Sequence, residues 1–208
     1  MAAIFFVHPD HPQPRLIGQA AELIRAGGLA AFPTDSACAL GGRLGDADLL
    51  DRIRRIRGVD ERHHFTLMCR DLSEIATYAR VDNAQYRLLR ATTPGSYTFI
   101  LEGTKELPRR VLHPKRKTIG LRIPDHPLAL ALLEALDGPL LTSTLILPGE
   151  KMPLCDAEEI RDRLENQVDL IIDAGPCGAE MTTVINLAGG MPELVRAGRG
   201  PLQPFGLE

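Results

Sequence analysis

Several groups of residues have the types and spacing to bind a small anionic molecule. Pro33-Thr34-Asp35-Ser36-Ala37-Cys38-Ala39-Leu40-Gly41 gathers three polar side chains where an apolar run ends. In open α/β sheets ligands tend to sit outside strand carboxyl ends; an ordinary polar turn accounts for this segment equally well. Arg52-Ile53-Arg54-Arg55-Ile56-Arg57 places its isoleucines inward at i, i+3 and fans guanidinium groups over the outer face, with Arg55 and Arg57 at the helix end. Guanidinium suits phosphate through planar, paired donors, although a charge run is usually a solvated face. Arg62-His63-His64 follow and lead into the strand FTLM. Lys115-Arg116-Lys117 precede the apolar stretch TIGLRIP, and Arg122 lies inside it. Arg116 and Arg122 share a strand face and Lys117 takes the other. A charge within an apolar strand needs a partner or a ligand. Leu140-Leu141-Thr142-Ser143-Thr144 ends in three hydroxyls, Thr182-Thr183 repeats the theme, and Arg196 sits in the last apolar run. Hydroxyls can donate to phosphate or carboxylate oxygens, and β-propensity alone also explains threonine in strands.

Other chemistries are poorly represented. The sequence has no GxSxG, Walker loop or GxGxxG. Its six His are not paired with Cys at ligand spacing, so no protein-bound metal is expected. Four Cys and six His give many chance pairings, so a nucleophilic Cys–His pair carries little weight.

The elements that must hold these residues follow from hydrophobic periodicity. IFFV, LAAFP (29–33), FTLMC (65–69), YTFIL (97–101), TIGLRI (118–123) and LLTST (140–144) read as strands, as do VDLIIDAG, TTVINL and ELVRAG near the end. Helices are expected from Arg15 to Arg25, stopped by Gly27-Gly28; after Asp46, with Leu49, Leu50, Ile53 and Ile56 on one face; after Asp71; over 82–91, stopped by Thr92-Thr93-Pro94-Gly95; over 126–136, stopped by Asp137-Gly138-Pro139; and from Cys155 to Glu165. Asp46 and Asp71 are suitable N-caps. Strands and helices alternate early and strands dominate late, which predicts α/β with a mixed, twisted sheet.

A chain of 208 residues with 44% hydrophobic and 25% charged residues is that of a folded globular protein. The net charge is −3, but it is an average over two unlike parts. Residues 52–62 and 105–122 together hold 12 Lys/Arg and 3 acids, or +9, leaving 12 − 24 = −12 for the other 179 residues. Such concentration favours a phosphate-bearing partner, and Arg109, Arg110, Lys115, Arg116 and Lys117 are the residues expected to contact its phosphates. No apolar run approaches the roughly 18–20 residues of a membrane span. The start, MAAIFFVHPD, does not read as a secretory signal. Cys38, Cys69, Cys155 and Cys177 are scattered and read as free thiols of a reducing cytoplasm.

The ordered segments also resemble a known family. FPTDSACALG is similar to the Pro-Thr-Glu-Thr-apolar-Tyr-Gly-Leu-Gly opening of the YrdC-like (threonylcarbamoyl-AMP synthase-like) family. RIRG…HHFTLM, PGSYTFIL, KTIGLRIPDHPLA, GPLLTSTLILPG and TTVINL…VRAG follow in family order, with wording closest to the YciO branch. The resemblance spans nearly the whole chain. It implies one YrdC-like domain over 1–208, with a twisted mixed open sheet and flanking helices around a basic concave cavity. The implied reaction joins threonine, bicarbonate and ATP, with Mg²⁺ accompanying the ATP. Its product, threonylcarbamoyl-AMP, feeds threonylcarbamoyladenosine formation in tRNA. The alternative is a non-catalytic YciO-like paralogue that binds double-stranded or ribosomal RNA.

By position, Thr34, Ser36, Thr118 and Arg122 match the threonine-binding residues of the resemblance. Arg55 and Arg57 match its Lys-x-Arg motif, with Arg196 as the late arginine near phosphate. Ser143, Thr144, Thr182 and Thr183 fall in its nucleotide-binding segments. Cys38 stands where the family has Tyr, Arg55 where it has Lys, Ile146 where it has Asn and Asn186 where it has Asp.

Overall fold

The structure is a computed structural model that describes residues 1–207. Its strands are β1 (Ala3–Phe6), β2 (Ala30–Phe32), β3 (Ala39–Arg43), β4 (Thr66–Met68), β5 (Tyr97–Glu102), β6 (Thr118–Arg122), β7 (Leu140–Thr144), β8 (Leu170–Asp173), β9 (Thr183–Asn186) and β10 (Glu193–Arg196). They form one ten-stranded open sheet in the order β1-β8-β2-β3-β7-β4-β6-β5-β9-β10. β1/β8, β2/β8, β4/β6 and β5/β9 pair in parallel; the other neighbours are antiparallel. The mixed sheet expected from the sequence is therefore present.

Six helices flank it: α1 (Pro14–Arg25), α2 (Ala47–Arg57), α3 (Leu72–Tyr78), α4 (Asn83–Thr92), α5 (Pro127–Leu136) and α6 (Ala157–Leu164). Their ends follow local chemistry. The Asp46 carboxylate accepts from the Asp48 and Leu49 amides at the start of α2, satisfying donors that have no partner within the helix. Gly58 closes α2 at φ +60°, a left-handed conformation that glycine adopts without the penalty of a side chain. Asp71 caps α3, and Asp82 with Gln85 forms a reciprocal capping box on α4.

The strands feed two cores by alternation, since successive side chains point to opposite faces. Ala31, Leu67, Phe99, Leu121 and Leu141 join the core beneath α2. Ala30, Phe32, Met68 and Leu140 join the other, where Ile17, Ala21 and Ile24 of α1 meet Leu128, Leu132 and Leu133 of α5. The α1–α5 pair covers only part of this second face. Along β4, β6 and β7 the same face continues as Thr66, Gly120, Arg122 and Thr142, which line an open cavity instead of a core. The cavity floor is thus the uncovered remainder of a sheet face.

Two expectations are corrected. Ala39–Arg43 is a strand, β3, paired antiparallel to β2 and β7. Two glycines in ALGGR hide its β character. A Cβ on Gly41 would lie 2.9 Å from the Phe32 ring and 3.0 Å from the Thr142 methyl, so the sheet needs glycine there. The cysteines are not all free: Cys38 and Cys177 form a disulfide with a Cα–Cα distance of 5.9 Å, and Cys69 and Cys155 remain thiols. The partners are 139 residues apart in sequence. They meet because β2 and β8 are parallel neighbours, so the loops leaving them run side by side. Cysteine usage therefore does not point to a reducing compartment. No helix among the described residues is long and apolar enough to cross a membrane.

Candidate functional site

The cavity has a volume of about 480 Å³. Thr66, Thr98, Gly120 and Thr142 make its floor. A Cβ on Gly120 would lie 3.0 Å from the Thr98 methyl and 3.1 Å from Thr66 Oγ1, so the hydroxyl floor is closely packed. Arg57 enters from the end of α2, Arg62, His63 and His64 from the loop after it, and Ser143, Thr144 and Ile146 from the end of β7. Thr182 and Arg196 close the far wall. Four arginines line the cavity and, among the described residues, no Asp or Glu does. That arrangement selects an anion.

The arginines are held differently. Arg57 Nη1 donates to Ser143 Oγ at 2.6 Å. Burial and then the neighbouring Arg196 lower the Arg57 pKa. Arg196 donates from Nε and Nη2 to the Thr182 carbonyl, at 3.2 and 2.9 Å, and burial lowers its pKa too. Arg122 is the most enclosed. Its Nη2 donates to Asp35 Oδ1 at 2.5 Å and its Nη1 to Ser36 Oγ at 3.2 Å. Ser96 Oγ donates to the other Asp35 oxygen at 2.8 Å. Burial lowers the Arg122 pKa while Asp35 opposes the shift. The partner demanded by a charge inside an apolar strand is Asp35, yet Arg122 Nε stays buried without an acceptor.

His63 Nε2 lies 2.9 Å from Ser143 Oγ, and its ring stands edge-on to Phe65 at 5.4 Å. Burial, then Arg57, His64 and Arg54, push its pKa down to about 4, with Asp60 opposing. His64 packs 4.8 Å from the His113 ring. His113 Nδ1 in turn accepts from the Arg116 amide, so the 113–116 turn is fastened to the cavity rim. Lys115, Arg116 and Lys117 are exposed there; Arg109 and Arg110 are exposed on a short 3₁₀ turn, where Arg110 Nη2 donates to the Gly45 carbonyl at 2.6 Å.

The structure brings Ser36, Arg57, Arg122, Ser143, Thr144, Thr182 and Arg196 together. Four other residues expected at the site lie elsewhere. Arg55 is exposed on the outer face of α2, because the two-residue step to Arg57 turns the side chain by about 200° around the helix. Thr183 points to the opposite sheet face, where its hydroxyl donates to the Gly200 carbonyl at 2.6 Å. Thr118 shares the parity of Gly120 and Arg122 but is buried outside the cavity. Thr34 donates to the Ala37 carbonyl at 2.7 Å and lines a wider cleft of about 690 Å³ across the Pro33–Ser36 segment. That cleft mixes Asp35 and Asp125 with Arg199 and His126, so it lacks the uncompensated positive charge of the cavity. Sequence reasoning assigned no role to His63, His64, Thr66 or Thr98, and met Thr142 only as one of three strand-end hydroxyls. The threonines share a face with Gly120 and Arg122 only through the strand register, so the sequence carried no signal that groups them.

A cavity on the bare face of a mixed open sheet, lined among the described residues by arginines and no acid, gives an α/β protein with a site suited to an anion. The chain belongs to the Sua5/YciO/YrdC family, whose model, described as "Telomere recombination", matches residues 22–198. It is 55% identical over 205 residues to the protein called uncharacterized protein YciO of Escherichia coli K12, covering 99% of this chain and all of that one. The crystal structure of E. coli YciO superposes with a TM-score of 0.96. The Bacillus subtilis threonylcarbamoyl-AMP synthase is 30% identical over 185 residues, covering 88% of this chain and 53% of the synthase. P. abyssi Sua5 crystallised with L-threonine is 26% identical with a TM-score of 0.89, covering 97% of this chain and 59% of that one.

Proposed function

We propose that the cavity binds ATP and a small amino acid, and forms threonylcarbamoyl-AMP from threonine, bicarbonate and ATP. The observation that carries this reading is the convergence of Arg57, Arg122 and Arg196 in a cavity lined, among the described residues, by no carboxylate. Arg57 and Arg196 would take phosphate oxygens, and Arg122 with its free Nε would take the amino-acid carboxylate beside Ser36. Transfer to the α-phosphate then needs alignment and charge stabilisation more than a protein nucleophile. Similarity to the synthase and to the threonine-bound Sua5 supports the substrate assignment.

The protein offers no evident cage for Mg²⁺: among the described residues no three His, Cys, Asp or Glu side chains cluster, and Asp35 is engaged by Arg122 and Ser96. No step is assigned to the metal. The test is product analysis with purified protein, ATP, L-threonine and bicarbonate. Adenylate formation above an Arg122→Ala control is expected, and its absence would refute the reading.

A second reading is favoured by the exposed Lys115, Arg116 and Lys117, whose turn is fastened to the cavity rim, together with Arg109 and Arg110, exposed on the preceding 3₁₀ turn. They would contact the phosphates of double-stranded RNA or tRNA, whose A-form is read mostly by shape and backbone. The cytoplasm, where those RNAs and ATP occur, is the compartment that both readings require.

A further inference from the structure

We propose that His63 is the proton acceptor of the cavity, reached through the Ser143 hydroxyl; this deepens the synthase reading and rests on it. Arg57 Nη1 donates to Ser143 Oγ at 2.6 Å, and His63 Nε2 lies 2.9 Å from the same oxygen. A guanidinium can only donate. Ser143 Oγ has two lone pairs and one proton, so with one lone pair taken by Arg57 its own proton is free to go to His63 Nε2, and the relay proposed is the one in which donation runs Arg57 to Ser143 to His63. It fixes the neutral imidazole with its hydrogen on Nδ1. Both Ser143 and His63 line the cavity, and the edge contact with Phe65 holds the ring in place.

The proposed chemistry has a proton to dispose of. An amino acid enters as an ammonium and must become an amine before it can attack carbon. One ammonium and one bicarbonate give one carbamate, one water and one proton. The first proton leaves nitrogen for Ser143 Oγ as the Ser143 proton moves to His63 Nε2. The nitrogen–carbon bond then forms, the carbon–hydroxyl bond breaks, and the departing hydroxide takes the second nitrogen proton as water. One proton remains on His63, adjacent to Arg57, where it adds positive charge beside the phosphates during the later displacement.

The surroundings also set an order. Burial first, and then Arg57 of α2, His64 of the adjoining loop and Arg54 of α2, hold the His63 ring neutral, with Asp60 as the opposing charge. A polyphosphate on Arg57 would offset those cations and make His63 a better base. Nucleotide arrival thus prepares the group that activates the amino acid.

The test uses the full chain and its His63→Gln variant. Glutamine keeps an acceptor for Ser143 but takes up no proton. The expected result is a fall in kcat of about 10²-fold with little change in KM for ATP or threonine. The acidic limb of the wild-type pH–rate profile should vanish with it. An unchanged kcat in an active protein overturns the proposal while leaving the synthase reading intact. If the wild type forms no product, the synthase reading fails, and the proton acceptor is judged by imidazole NMR of His63 with and without ATP. A His63 pKa that rises by about one or more on ATP addition supports the relay; one that stays near 4 overturns it.

Discussion

Arg122 Nη2 sits 2.5 Å from Asp35 Oδ1, and both side chains are only 7% exposed. The pair ties the loop after β2 to the end of β6, from opposite sides of the cavity wall. Removing one partner of such a buried pair strands the other charge. Asp35→Ala should lower unfolding free energy by about 3–5 kcal/mol in urea titrations. Asp35→Ala with Arg122→Met should cost clearly less than the sum of the single changes. Additive losses would show that the pair does not act as a unit.

Stability should also depend on pH through His63. Its folded pKa is about 4, below the ordinary 6.5. Between those values the unfolded chain binds more protons, so stability is full above about pH 6.5 and falls as pH drops toward 4. Because the ring is only partly buried, the loss is on the order of 1–2 kcal/mol. Urea midpoints at pH 7 and pH 4.5 should separate more for wild type than for His63→Gln.

Reversing the charge of Arg109, Arg110, Lys115 and Arg116 together should weaken double-stranded RNA binding by at least about tenfold at low salt. The slope of log affinity against log salt should flatten by roughly 0.9 for each phosphate that is no longer neutralised. These residues are exposed, so the melting temperature should barely move. Binding that keeps its salt slope would exclude this loop as the RNA surface.

Ile146 lines the cavity just beyond β7 but can donate no hydrogen bond. Under the synthase reading, Ile146→Asn should raise adenylate formation by about 10²-fold, the usual worth of one donor aimed at developing charge. An unchanged rate by single-turnover assay would show that this position does not limit turnover.

Cysteine accounting supplies a direct check on the loops beside the cavity. Denatured but unreduced protein should titrate two thiols, from Cys69 and Cys155, and reduced protein four. Four thiols before reduction would mean that Cys38 and Cys177 are unpaired. Cys177→Ser should cost about 2–4 kcal/mol of stability under oxidising conditions and little under reducing ones.

Much of this molecule was legible in its residues, and the gaps have physical causes. α1 and α2 show plain apolar faces and recognisable ends, so periodicity located them. β3 escaped because Gly41 and Gly42 carry no side chains to pattern. Arg122 announced itself as a charge out of place, but Asp35 as its partner depends on a contact 87 residues away in sequence. His63 and the threonine floor remained hidden for the same reason: each belongs to a different strand or loop, and only the sheet order makes them neighbours. Arg55 was misplaced by reading a motif as a pair when a helix separates its members in angle. The disulfide shows the converse limit, since spacing cannot report which loops a parallel strand pair brings together.

The sheet face that α1 and α5 cover runs on, bare, into the arginine cavity. A ligand there occupies the position of a missing helix. It would finish a layer that the chain leaves open and tie β4, β6 and β7 to the far wall at Thr182 and Arg196. Occupancy should therefore register in the cooperative melting of the sheet as a whole, and not only at the rim where the ligand enters.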